Sequence, residues 1–139
     1  MKSKRLGGKY ILRLDKGEEI VETLKQFCGN KKIFLGTVTG IGATNRATVG
    51  CFLADTKKYV ARDLVGNFEI APLVGNISTM NNKVYLHLHC QLSDDKQNTF
   101  GGHLSSAIVS ATFEAVIEPM KGRMNRKFSK EIGLNLFDL

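Results

Sequence analysis

KVYLHLHCQLSDDKQNTFGGHL, residues 83–104, is the stretch on which the fold turns. Its first half alternates cleanly, with Val84, Leu86, Leu88, Cys90 and Leu92 on one face of an extended chain and Tyr85, His87, His89 and Gln91 on the other. The turn-rich SDDKQN comes next, then TFGGHL, so the segment predicts an antiparallel hairpin centred near Asp95 or Lys96. Folding about that centre sets residue 103 opposite residues 87–89. All the histidines of the chain, His87, His89 and His103, then stand together, the first two with Cα atoms ~6.6 Å apart. Register decides whether His103 shares their face, because a one-residue slip inverts it, and Gly101 and Gly102 offer a place for a bulge that would set it.

Three neutral imidazoles converging on one point make a facial site for a divalent metal ion, zinc foremost, with a fourth position left for water, a carboxylate or a substrate. Cys90 faces the opposite way and is a poor ligand. The alternative is three unrelated surface or core histidines. The segment also reads H-x-H-x4-D-x6-G through Asp94 and Gly101, similar to the first metal motif of cupins. That fit is partial: Asn81 stands where cupins carry glycine, Asp94 where they carry glutamate, and no histidine follows residue 103. Asp94 or Asp95 could orient a ligating ring, although turn chemistry alone explains both.

Outward from this hairpin, KIFLGTVTG, ATVGCFLA, KYVARDLVG, FEIAPLVGNIS and AIVSATFEAVIE alternate at period two between glycine, asparagine and aspartate punctuation. One helix is predicted, over DKGEEIVETLKQFCGN: Asp15 as N-cap with Glu18 three residues on, an apolar face of Ile20, Val21, Leu24, Phe27 and Cys28, and Gly29 and Asn30 at its end. Strands following one another without helices between them predict an α+β protein, mainly an antiparallel curved sheet or barrel-like core with this principal helix near the N-terminus. TGIGAT around Gly40 and Gly42 hints at a phosphate loop, but Asn45 stands at the third glycine position, and a tight hairpin is the preferred reading. The tail RKFSKEIGLNLFDL ends in apolar residues and predicts a docked final strand. A chain of 139 residues suits a single domain over 1–139.

No window approaches the ~20 continuous apolar residues of a membrane span. The basic start MKSKRLGGKY is followed by no apolar stretch of the signal-peptide kind, which predicts a cytoplasmic protein with reduced thiols. Cys28, Cys51 and Cys90 share no CxxC spacing, which argues against both a disulfide framework and a cysteine zinc knuckle. Ser105 and Ser106 adjoin His103 without a legible Ser-His-Asp order. The formal charge is +7, and half of the basic residues lie in two patches, 2–13 and KGRMNRKFSK at 121–130. Lys121, Arg123, Arg126, Lys127 and Lys130 in the second patch have no acid among them, which suits a polyanion such as DNA through counterion release and equally suits a solvated face.

With the helix, VTGIGAT, GNFEIAPLVGNIS and HLHCQLSDDKQNTFGGHL in view, residues 9–137 resemble a PPC domain, the plant and prokaryote conserved domain, most specifically in the pairing of HxH with a downstream GGH. The resemblance implies an antiparallel β-core with one main helix, assembly into a homotrimer, and a bound divalent metal carried onto His87, His89 and His103. Prokaryotic members are often labelled DNA-binding, whereas in plant members an R-G-R-P AT-hook makes the contact. The nearest echo here is Gly122 and Arg123 in KGRMN, without the proline, which leaves general phosphate attraction. Two readings of function follow: a trimeric DNA-associating or regulatory module with a three-histidine site, and a metal-dependent zinc enzyme using an open coordination position.

Overall fold

The structure, a computed structural model, describes residues Met1–Leu139. Its elements are β1 (Lys2–Leu6), β2 (Lys9–Asp15), α1 (Ile20–Asn30), β3 (Gly36–Leu53), β4 (Lys58–Met80), β5 (Lys83–Ser93), β6 (Thr99–Pro119), β7 (Arg126–Ser129) and β8 (Leu134–Phe137). The first six strands form an antiparallel sheet in the order β1-β2-β6-β3-β4-β5. Because β5 also pairs with β6, the sheet curls and partly closes on itself without becoming a barrel.

Directly paired residues in an antiparallel sheet point to the same side, so two adjacent rows define the two faces. Leu12, Ala115, Gly40, Leu73 and Cys90 lie in register along one row, and its side chains are buried. Helix α1 packs on this face against β5 and β6, adding Ile20, Leu24, Phe27 and Cys28 to the core. The next row, Ile11, Val116, Thr39, Val74, His89 and His103, lies on the opposite face. The period-two pattern of residues 84–92 is thereby realised, with Leu88, Cys90 and Leu92 in the core and His89 and Gln91 exposed.

Two expectations are corrected. Asp15 is not the helix cap; it ends β2, and the cap is Glu19, whose carboxylate accepts from the Glu22 N–H at 2.5 Å. The backbone between them is already bound to β6: the Gly17 N–H reaches the Val109 carbonyl at 2.8 Å, and the Val109 N–H reaches the Glu18 carbonyl at 3.0 Å. Glu18 does accept from the Asp15 N–H at 2.7 Å, the contact that the capping-box spacing encodes, but inside the turn ahead of the helix. Nor do Gly40 and Gly42 make a hairpin. They sit within the continuous strand β3, at a register shift that bends it. A Cβ on Gly40 would lie 2.5 Å from the Phe113 ring, so the glycine lets the fully buried Phe113 fill the inside of the bend.

The predicted terminal strand is present, as β8 in a hairpin with β7. All three cysteines are free. No helix is long and apolar enough to cross a membrane.

Candidate metal centre

The hairpin of β5 and β6 pairs His89 with His103, Cys90 with Gly102 and Gln91 with Gly101 in unbroken register, centred on Lys96. His103 therefore shares the face of His89 and His87. Gly101 and Gly102 host no bulge in this pairing; they permit close approach, since a Cβ on Gly102 would collide with the Gly50 carbonyl of β3 and one on Gly101 would lie 2.5 Å from the Cys90 carbonyl. The turn closes through Asp94, which accepts from the Lys96 N–H at 3.0 Å and the Asn98 N–H at 2.8 Å. Turn chemistry thus accounts for Asp94.

His87 and His89 bring their Nε2 atoms to 3.2 Å, and one ring nitrogen from each of the three histidines lies within 4.8 Å of the others. Ring centroids are separated by 5.0, 5.2 and 5.7 Å. Tetrahedral coordination with 2.0–2.1 Å zinc–nitrogen bonds requires nitrogens ~3.3 Å apart, a spacing the His87–His89 pair already has, while a His103 nitrogen stands within 4.8 Å of both. The donor set fits a divalent ion of the zinc type. Burial, with the positive charges of His103, Arg126 and His89, pushes the His87 pKa down to about 4. Burial and His89 lower that of His103. Both shifts favour the neutral ring, the form that donates to a metal.

Around the rings lies a cavity of about 820 Å³, closed on one side by the β7–β8 hairpin. Tyr59 packs edge-on to His103 at 5.9 Å between centroids, and its hydroxyl is 3.2 Å from the Ser105 Oγ. Gly50 makes room for it, because any side chain there would occupy the place of the Tyr59 ring. Sequence reading missed Tyr59, and noted Ser105 only as a neighbour of His103 without a legible catalytic order. No local signal marks either; they meet across β4 and β6, 46 residues apart.

The basic run 121–130 divides. Lys121, Arg123, Lys127 and Lys130 are exposed. Arg126 does not stand with them: it is 9% exposed, and its guanidinium donates to the Ser78 Oγ, the Asn76 Oδ1 and the Asn135 carbonyl at 2.7–2.8 Å. The rings of Tyr85 and Phe137 lie 5.0 and 4.3 Å from it, and it lines the histidine cavity. An arginine so enclosed is withdrawn from phosphate contacts at the surface.

The family model of the Plants and Prokaryotes Conserved (PCC) domain matches residues 1–121. Among solved structures, a candidate DNA-binding protein from Bacteroides thetaiotaomicron is 39% identical, with 99% of this chain and 96% of that chain covered and a TM-score of 0.96. A metal-containing protein from Archaeoglobus fulgidus is 34% identical over 96% of this chain and 94% of its own, with a TM-score of 0.89. A plant- and prokaryote-conserved protein from Pyrococcus horikoshii is 30% identical over 99% and 94%, with a TM-score of 0.87. No curated protein matches the chain. With the fold, the HxH and GGH hairpin and these likenesses agreeing, the chain belongs to the Plants and Prokaryotes Conserved domain family.

Proposed function

We propose that this chain is a metal-holding PPC module that assembles as a homotrimer and associates with DNA through general phosphate attraction. The observation that carries the metal reading is the convergence of His87, His89 and His103 on one point of one sheet face. Zinc is the ion favoured by an all-imidazole donor set, and when bound it would brace β5 against β6. The metal-containing relative from Archaeoglobus fulgidus supports the same reading. Elemental analysis tests it: about one zinc per chain is expected in the purified protein, and near none in His87→Ala. Equal content in both would overturn it.

DNA association is supported by exposed Lys121, Arg123, Lys127 and Lys130, by the net charge of +7, and by the candidate DNA-binding relative. Each phosphate contact releases counterions, so affinity should fall steeply with salt and weaken uniformly across sequences in Arg123→Ala or Lys127→Ala. A salt-insensitive interaction, or none, counts against it. The trimer is supported by the outer face. Ile11, Ile41 and Val74 are exposed there in a groove, and the same row continues into His89, so a neighbouring copy seated on it would lie beside the metal centre.

A metal-dependent enzyme is the second reading, and the cavity beside the histidines is what favours it. A bound ion with an open position would supply Lewis acidity to a carbonyl or to water. A zinc-loaded protein that hydrolyses 4-nitrophenyl acetate no faster than the His103→Ala variant would remove this reading's simplest form.

A further inference from the structure

Every charged side chain lining the histidine cavity is a cation. Arg126 and Lys57 face it, and neither aspartate nor glutamate is among its lining residues. Arg126 is nine-tenths buried, forms no ion pair, and spends its three hydrogen bonds on neutral oxygens. Since a guanidinium carries five N–H groups, two remain without a protein acceptor. A buried cation is costly unless an anion balances it, and this one has none within the chain.

The guanidinium is also held still, with Tyr85 and Phe137 against it and Asn76 fixing one edge. Asn76 is the register partner of His87, and Tyr85 lies two residues before His87 on the same strand face. Arg126 is therefore built against the same stretch of β5 that presents the histidines. Lys57 also lines the cavity, and its ammonium donates to the Lys130 carbonyl at 3.0 Å. The rest of the wall includes the apolar side chains of Phe52, Leu134 and Leu136, and the volume exceeds what an inorganic ion fills.

We infer that this cavity is a binding site for a small organic carboxylate, its apolar body lying against β8 and its carboxylate shared between Arg126 and the metal face of the three histidines. The inference rests on the metal-centre reading for the coordinating end, and on Arg126 alone for the other. A carboxylate oxygen is a suitable fourth donor to an all-imidazole ion, and the N–H groups left on Nη1 and Nη2 of Arg126 are charge-assisted donors for a carboxylate, held in a planar group that a lysine ammonium does not reproduce.

Butanoate is the probe, observed by saturation-transfer NMR on the full chain with and without one equivalent of zinc. Binding is expected in both states, tighter with zinc, and weakened by about tenfold in Arg126→Lys, which keeps the charge but loses the fork. A thermal melt of that variant checks its fold; should it fail to fold, exposed Lys57→Ala serves instead, with a loss of about threefold expected from one solvent-screened charge. No butanoate signal in either state, unchanged affinity in the variants, or binding of inorganic phosphate in place of butanoate would each overturn the inference. Failure of the metal reading looks different: zinc would not be retained, while Arg126-dependent butanoate binding persisted in the metal-free protein.

Discussion

His87 is the residue on which the chemistry of the site can be read most directly, because the fold holds its pKa near 4, chiefly through burial and then through the positive charges around it. In an unfolded chain the same ring titrates near 6.5. Above that pH both states are neutral and the ring has no effect on the pH profile; as pH falls from 6.5 toward 4, the unfolded state binds the proton first and the fold loses stability. The metal-free protein should therefore melt at progressively lower temperature across this window, and His87→Gln should flatten the profile. An equally steep profile in the variant would place the titration elsewhere. Arg126 shows the limit of what sequence can say at this scale. In KGRMNRKFSK it looks like its neighbours, and only the docking of β7 against β4 turns it inward onto Ser78 and Asn76.

Glu19 does at the level of elements what no single-strand pattern reveals. One carboxylate oxygen caps α1 at the Glu22 N–H, while the other accepts from the Ala107 N–H of β6 at 2.9 Å. Glu19→Ala removes a cap and orphans a part-buried strand donor, so chemical denaturation should show a loss of about 2 kcal/mol. Glu19→Gln, which keeps one acceptor oxygen, should lose less; a loss below about 0.5 kcal/mol in the alanine variant would contradict the double role. The sequence carried the apolar face of this helix but placed its start four residues early, because Asp15 and Glu18 have capping-box spacing and only the β6 pairing shows those residues already bound. Gly40 and Gly42, which lie inside the continuous strand β3, were read as a hairpin for a related reason. Glycine marks both a turn and a bend over a buried ring, and the difference lies in Phe113, some 70 residues away along the chain.

Seen whole, the molecule is a curled sheet whose inner face is filled by α1 and whose outer face runs from an apolar strip into three histidines. The hairpin that gathers them was legible because alternation, turn chemistry and chain geometry all lie within residues 83–104. The cavity around them was not, since its walls come from β3, β4, β7 and β8 as well. If the apolar strip seats neighbouring copies, Ile41→Asp should shift light-scattering mass from three chains toward one, and an unchanged mass would free that face from the assembly. The central claim is that the three rings hold one ion between them. Anomalous difference maps from zinc-grown crystals, collected on either side of the zinc edge, should show a single peak about 2.0–2.1 Å from a ring nitrogen of each of His87, His89 and His103. A map with no peak there, or with His103 turned away from an ion held by the other two, would contradict it.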